Sequence, residues 1–194
     1  WKKLPGNENQ TISATIPYIR SLRARPFPYD NELWIATSGQ GVVVYSGFTS
    51  ATPFYVLDNI TINSEYYCNE NIEIESGGSL TIEGNIGFYV AKDKKIIVHE
   101  GGKLNIQGVT FNSLDSSQQW GGIEVENCDS SLTIQNCTFN NASLPIKIIN
   151  DESYAYNEKI IKNNVFNCQN SPDYAIYTEN VYNILIQGNQ FNMS

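Results

Sequence analysis

Short apolar stretches with strand periodicity recur along this chain at a nearly constant spacing. "ESGGSLTIEG" occupies 75–84, and "HEGGKLNIQG" follows it at 99–108. Within each stretch apolar residues alternate with polar ones, and Gly or Asn stands at the ends, which is typical of a β-strand bounded by turns. Aligning the chain by its apolar residues gives five copies, whose central isoleucines are Ile82, Ile106, Ile134, Ile161 and Ile186.

A second set of apolar pairs precedes these isoleucines. Its members are Ile72 and Ile74, Ile96 and Val98, Ile123 and Val125, and Ile146 and Ile148. A repeat of this length cannot bury its apolar face alone and must stack on its neighbours. Leucine-rich repeats have a similar period, but no helical face lies between these strands. The pattern therefore predicts an all-β parallel β-helix over 52–194, with the loops 113–120 and 150–158 inserted at corners.

Equivalent residues of stacked coils lie about 4.8 Å apart, so we expect them to form ladders inside the solenoid. One aromatic ladder is predicted from Phe88, Phe111, Phe139, Phe166 and Phe191. An asparagine ladder is predicted from the residues that follow four of them, Asn112, Asn140, Asn167 and Asn192, with Tyr89 in the first coil. Tight corners are predicted at the paired glycines Gly77, Gly78, Gly101 and Gly102, where a side chain would hinder the bend.

The stretches "GGSLTIEG", "GGKLNIQG" and "WGGIEVEN" resemble coils of right-handed parallel β-helix proteins of the pectate-lyase-like superfamily, particularly exported surface proteins of bacteria. The resemblance covers about 52–194 and implies a right-handed solenoid. Pectate lyases of this superfamily use clustered acidic residues for calcium and a basic residue, usually arginine, to abstract a proton. Here all three arginines, Arg20, Arg23 and Arg25, precede the solenoid.

Polygalacturonase-like members of the superfamily use several aspartates for acid–base work. The seven aspartates of this chain include no adjacent pair and no Asn-Thr-Asp motif. The catalytic residues of the family cannot be carried over, so we expect no enzyme activity, no metal and no cofactor.

The first 51 residues have a different character. "DNELWIATSGQGVVVYSG" at 30–47 resembles one repeat of the two-component-regulator type of β-propeller. A propeller typically needs four or more blades, so 1–51 is predicted to be a propeller remnant or a β-rich cap. We favour the cap, because the first coil would otherwise expose an apolar edge. The chain begins on Trp1 and stops within a repeat, so we expect it to be a piece of a longer protein.

Composition excludes several classes of partner. The net charge of −8, with only 12 Lys and Arg, argues against nucleic-acid binding, which needs concentrated positive charge. No apolar run is long enough for a membrane span. The cysteines Cys68, Cys128, Cys137 and Cys168 show no C-x-x-C spacing; buried free thiols are favoured, and one disulfide would fit an exported protein.

One constellation could bind a ligand. Aligning "IEIE", "IIVH" and "IEVE" places Glu75, His99 and Glu126 at one outward position of three successive coils, with Glu73 and Glu124 on the same face. Two carboxylates beside the only histidine could bind a cation or tune an acid–base group. The favoured alternative is a solvated ladder in which opposite charges on adjacent strands reduce repulsion.

Aromatic residues offer a second candidate surface. Tyr174 and Tyr177 lie among the tyrosines of the C-terminal coils, and Trp120 opens a strand after the long insertion. Flat aromatic faces can stack on sugars, although tyrosines also cover the edges of solenoids.

These observations predict a non-catalytic module at the cell surface or outside the cell. It would be structural or adhesive and able to assemble with itself into filaments. The alternative is a protein that binds or degrades polysaccharide, and surface carbohydrate is then the partner.

Overall fold

The computed structural model describes residues 53–126, 132–150, 158–168 and 174–193, together with four strands of the segment before them. Every regular element among these residues is a β-strand, which confirms the all-β prediction. The chain divides into two compact units, Trp1–Ala51 and Thr52–Ser194. No helix long and apolar enough to cross a membrane occurs in the part of the chain that the structure describes.

The first unit contains one four-stranded sheet. Its strands are β1 (Lys2–Leu4), β2 (Ile19–Ala24), β3 (Glu32–Thr37) and β4 (Gly41–Ser46). Strands β2, β3 and β4 form an antiparallel meander, and β1 pairs with β4 in parallel orientation. The hairpin β3–β4 forms most of the segment that resembles a propeller repeat.

The second unit is a parallel β-solenoid built of three six-stranded sheets. Sheet I contains β5 (Phe54–Val56), β8 (Ile72–Ile74), β11 (Lys95–Val98), β14 (Gly122–Glu126), β17 (Ile146–Ile149) and β20 (Ile176–Glu179). Sheet II contains β6 (Asn59–Ile62), β9 (Ser79–Glu83), β12 (Lys103–Gln107), β15 (Leu132–Gln135), β18 (Lys159–Lys162) and β21 (Ile184–Gln187). Sheet III contains β7 (Tyr66–Cys68), β10 (Gly87–Val90), β13 (Thr110–Ser113), β16 (Thr138–Asn140), β19 (Val165–Cys168) and β22 (Gln190–Met193). Each coil contributes one strand to every sheet.

The register of sheet II confirms the predicted alignment of the repeats. The central isoleucines pair in the order Ile82, Ile106, Ile134, Ile161 and Ile186. Ile62 of β6 extends this column, because it pairs with Ile82. The sequence alignment missed this sixth copy, since "DNITIN" lacks the paired glycines and lies closer to the next repeat than the others do.

Alternation along each strand separates the interior from the outer faces. In β8, Ile72 and Ile74 are fully buried, whereas Glu73 between them points outward. Burying one such side chain contributes about 1.5–3 kcal/mol. Because equivalent apolar residues stack in nearly every coil, the interior columns are the main source of stability.

The aromatic ladder is confirmed in sheet III. Successive rings from Phe88 to Phe191 have centroids 5.0–5.3 Å apart, and Tyr66 adds a ring before Phe88 at 5.1 Å. Phe191 of the last coil is 50% exposed, whereas Phe88, Phe111, Phe139 and Phe166 are fully buried.

The asparagine ladder forms with the predicted members but on the outside of the solenoid. Asn140 Nδ2 donates to Asn112 Oδ1 at 2.9 Å, and Asn167 Nδ2 donates to Asn140 Oδ1 at 3.0 Å. Asn192 continues the series by donating to Asn167. The prediction that this ladder lies inside the solenoid was wrong. Each asparagine directly follows an inward phenylalanine of the same strand, so alternation directs its side chain outward and leaves it partly exposed.

Lys159 and Asn164 are buried polar side chains of the fifth coil. Lys159 is fully buried and occupies the position that Leu80, Leu104 and Leu132 fill in earlier coils. Asn164 is also fully buried, and its amide is satisfied: it donates to the Ile134 carbonyl at 3.0 Å and accepts from Cys137 N at 2.9 Å. This asparagine fixes the corner that leads into β19.

The glycine corners between sheets I and II are confirmed. Gly77 adopts a φ of 83°, a left-handed conformation that side chains disfavour. Gly78 has an ordinary φ, but a Cβ there would collide with the carbonyl oxygen of Val56 in the coil below. The pair is therefore required for two different reasons.

Three of the four cysteines are described, and all three are free and buried, as favoured from the sequence. Burial raises the pKa of the thiols of Cys68 and Cys137 to about 11 and also raises the pKa of Cys168. Cys128 lies outside the described residues, as does most of the predicted insertion 150–158.

Candidate functional site

Three neighbouring strands of sheet I present the predicted constellation. The inward residues Ile74, Val98 and Val125 pair in register. The residue after each of them points to the outer face, so Glu75, His99 and Glu126 come from three successive coils. Glu73 of β8 lies on the same face two residues before Glu75. We call Glu73, Glu75, His99 and Glu126 the His99 cluster.

The imidazole of His99 lies at the centre of this cluster. Its Nε2 lies 3.3 Å from Glu73 Oε2 and 4.0 Å from Glu75 Oε1. Its Nδ1 lies 3.4 Å from Glu126 Oε2. Glu73 is the nearest carboxylate, and its side chain, at 18% exposed, is more buried than that of His99 at 32%. Sequence reasoning placed Glu73 on this face but gave more weight to Glu75 and Glu126.

Glu124 lies on the same face but belongs to a separate ion-pair group. Lys95 Nζ contacts its carboxylate at 2.7 Å, and Lys147 Nζ contacts the other oxygen. Burial would raise the pKa of Glu124, but hydrogen bonds from Lys147 and Lys95 outweigh it and lower the pKa. Within the described ranges, no lysine or arginine forms an ion pair with a carboxylate of the His99 cluster.

Glu124 is paired with lysines and the carboxylates of the His99 cluster are not, and this difference in charge decides what the cluster can do chemically. Three carboxylates share one imidazole, so the cluster carries a net negative charge even if the imidazole is protonated. The potential ligand atoms of Glu73, Glu75 and His99 all lie within 4.8 Å of one another. Such a group attracts cations, and it also fits the solvated ladder favoured from the sequence.

No family model, no curated protein and no solved structure matches this chain. The residues and their geometry therefore carry the functional argument.

Trp120 requires a correction. We considered it as a sugar-stacking residue, but its side chain is fully buried between coils. The indole lies 5.4 Å from the ring of Phe111 and 6.3 Å from that of Phe139. Its Nε1 donates to the Asn140 carbonyl at 3.0 Å. Trp120 closes the interior where the insertion 113–120 returns to sheet I, and it presents no face to a ligand.

Tyr174 and Tyr177 lie together at the last coil, with ring centroids 5.9 Å apart in an edge-on arrangement. Tyr174 is exposed. The Tyr177 hydroxyl donates to Glu179 Oε2 at 3.0 Å, and this bond raises the pKa of Tyr177. The two tyrosines therefore lie together in the last of the six coils, whereas the His99 cluster comes from the second, third and fourth coils.

A polar groove lies at the corner between sheets II and III and was missed from the sequence. It has a volume of about 410 Å³. Its polar side chains come from four coils and are Asn63, Glu83, Asn85, Gln107 and Asn136. Asn85 and Asn136 have positive φ values of 54°, so the signal available in the sequence was an asparagine within two residues of the end of a strand.

Proposed function

We propose that this chain is a non-catalytic extracellular or cell-surface module, structural or adhesive in role, related to the exported β-helix proteins of the pectate-lyase-like superfamily. The observation that carries the proposal is the continuity of the interior columns. Apolar residues stack through the coils of sheets I and II, and the columns are interrupted at Lys159 and Thr178. A long, regular outer surface is the product of such an architecture.

The candidate sites support a non-catalytic role. The polar groove between sheets II and III contributes amides and a single carboxylate, Glu83. Acid–base cleavage of a glycosidic bond needs two groups in complementary roles. In the His99 cluster, all three carboxylates lie against the same imidazole. The arginines of the chain, the residue type that pectate lyases use as a base, all precede the solenoid.

A polysaccharide assay tests this proposal. The purified chain is incubated with a panel of acidic and neutral polysaccharides, and new reducing ends and unsaturated products are measured. We expect no turnover. Turnover that Glu75→Gln or Glu126→Gln abolishes would overturn the non-catalytic proposal and favour a degrading enzyme.

Self-assembly is a further part of the proposal. The last coil exposes Ile186 and Phe191, and the first coil exposes Tyr55 and Leu57. Edge strands with unpaired backbone groups and apolar side chains favour pairing with another chain. Head-to-tail stacking of solenoids is a heterologous contact that does not close, so it would extend into filaments.

The second candidate function is binding of surface carbohydrate. The neighbouring rings of Tyr174 and Tyr177 favour it, because exposed tyrosines combine a flat apolar face with a polar hydroxyl. Affinity electrophoresis in polysaccharide gels would test it. Retardation of the wild-type chain that is lost in Tyr174→Ala supports this function, and equal mobility of the two proteins contradicts it.

A further inference from the structure

We propose that Glu73, Glu75 and His99 form a binding site for a divalent transition-metal cation of the Zn²⁺ type. Glu126 positions the imidazole of this site. The inference is independent of whether the module is adhesive or acts on polysaccharide, because it concerns the outer face of sheet I alone.

The kinds of donor atoms favour this class of cation. Zn²⁺ is commonly bound by imidazole nitrogen together with carboxylate oxygens. Imidazole suits Zn²⁺, Cu²⁺ and Ni²⁺, whereas Ca²⁺ and Mg²⁺ prefer sites made of oxygen ligands. The central position of His99 between carboxylates therefore selects a transition metal over the hard cations.

The distances fit a tetrahedral centre. Metal–ligand bonds of about 2.0–2.1 Å at tetrahedral angles separate neighbouring ligand atoms by about 3.4 Å. His99 Nε2 and Glu73 Oε2 are 3.3 Å apart, so this edge is already formed. Glu75 Oε1 lies 4.0 Å from Nε2 and needs only a small side-chain rotation to complete a second edge. The fourth position would face solvent.

Glu126 lies beside the second ring nitrogen of His99, where a carboxylate can orient the imidazole of a metal site. Histidines that bind metals usually donate their other ring N–H to a carboxylate, a backbone carbonyl or a water, which fixes the tautomer and strengthens the ligand. Glu126 Oε2 lies 3.4 Å from Nδ1, on the opposite side of the ring from Glu73 and Glu75. Nε2 forms a hydrogen bond with Glu73 Oε2 at 3.3 Å. A metal on Nε2 would replace the proton there and leave the proton of the neutral imidazole on Nδ1, where Glu126 can accept it.

The neighbouring positive charges are engaged elsewhere on the face. Lys95 and Lys147 both contact Glu124. In the register of sheet I, Ile97 lies between Glu73 and Glu124 and brings no charge.

Lys147 also interacts electrostatically with Glu126, whereas Glu73 and Glu75 form no ion pair with a lysine among the described residues. The negative charge of Glu73 and Glu75 therefore favours a cation beside His99 Nε2.

Nuclear magnetic resonance of the untagged chain tests the site directly, because the protein has a single histidine. ZnCl₂ is titrated into the full chain, and the two imidazole nitrogens are followed in long-range ¹H–¹⁵N spectra. We expect saturable changes at one Zn²⁺ per chain, with metal on Nε2 and the proton on Nδ1. An unchanged imidazole, or metal on Nδ1, overturns the proposal.

Calorimetric titration with ZnCl₂ of matched variants provides the second measurement. We expect His99→Gln and Glu73→Gln to abolish detectable binding, and Glu126→Gln to weaken it by about 10–100-fold. Glu83→Gln removes an exposed carboxylate from sheet II, outside the site, and should retain wild-type affinity. Equal affinity for CaCl₂ and ZnCl₂, or full affinity in His99→Gln, would show non-specific attraction to acidic side chains and overturn the site.

Discussion

At the scale of single residues, Phe139 and Asn140 show how one peptide bond separates two environments. Phe139 is fully buried between Phe111 and Phe166, whereas Asn140 lies on the outer face between Asn112 and Asn167. Stacking makes both residues part of a ladder. Their contributions to stability should nevertheless differ, because only the phenylalanine leaves a cavity when it is truncated.

We therefore expect Phe139→Ala to lower the free energy of unfolding by about 3–5 kcal/mol. Asn140→Ala removes two amide hydrogen bonds at a solvated position and should cost about 1 kcal/mol. Urea denaturation measures both changes. Thr138→Ala, on the same outer face of β16, is the control and should change stability by less than about 0.5 kcal/mol. Equal costs for the phenylalanine and asparagine variants would contradict the assigned faces.

The buried thiols make stability depend on alkaline pH. Burial raises the pKa of Cys68 and Cys137 in the folded chain to about 11, whereas an unperturbed thiol has a pKa of about 8.5. The unfolded chain therefore releases protons first, so the free energy of unfolding should fall as pH rises from about 8.5 towards 11. Urea melts across this range measure the slope.

A Cys128→Ser background removes the cysteine outside the described residues from this experiment. Adding Cys68→Ala and Cys137→Ala should make the pH dependence flatter. If the slope of the triple variant equals that of Cys128→Ser, the two thiols do not titrate as expected from their burial.

At the scale of elements, the corner between β8 and β9 joins two strands through a glycine pair with separate constraints. Gly77→Ala introduces strain only, because no atom lies within 4 Å of the place that its methyl group would take; we expect a cost of about 1–2 kcal/mol. Gly78→Ala forces the methyl against the Val56 carbonyl and should cost more than Gly77→Ala. Thermal denaturation ranks the two variants, and the reverse order would contradict the corner geometry.

The ion pairs of Glu124 with Lys95 and Lys147, which join β11, β14 and β17, make the stability of the protein depend on acidic pH as well. Hydrogen bonds from Lys147 and Lys95 overcome the effect of burial and lower the pKa of Glu124. A lowered pKa in the folded state stabilises the protein above the ordinary pKa of glutamate, about 4.3, and this stability is lost as pH falls through the folded value.

We expect Glu124→Gln to be less stable than the wild type at neutral pH, and the difference to shrink below about pH 4. Chemical denaturation at several pH values measures it. Glu83→Gln, an exposed carboxylate at the end of β9, is the control. A difference between wild type and Glu124→Gln that is constant with pH would exclude the ion pairs as its cause.

At the scale of the whole molecule, assembly should depend on the exposed end of the last coil. Ile186 is 45% exposed and belongs to the interior column, whereas Leu185 beside it points to the outer face of sheet II. We expect the sedimentation coefficient of the wild-type chain to rise with concentration. Ile186→Lys should abolish this rise, and Leu185→Lys should leave it intact.

Circular dichroism of both variants controls for their folding. A wild-type sedimentation coefficient that does not change with concentration would contradict the assembly proposal and leave a monomeric surface module.

The sequence by itself determined the repeat, the strand periodicity and the residues that stack. Apolar side chains at a fixed period have one way to leave water, which is to stack coil on coil, so Ile82 to Ile186 and Phe88 to Phe191 were aligned correctly. Alternation along the strands also determined that Glu75, His99 and Glu126 face outward. It places Asn140 outside because that residue directly follows an inward phenylalanine. Only the tertiary structure decided that Trp120 and Lys159 lie inside and that Glu73 is the carboxylate nearest to His99, because these depend on how neighbouring coils pack.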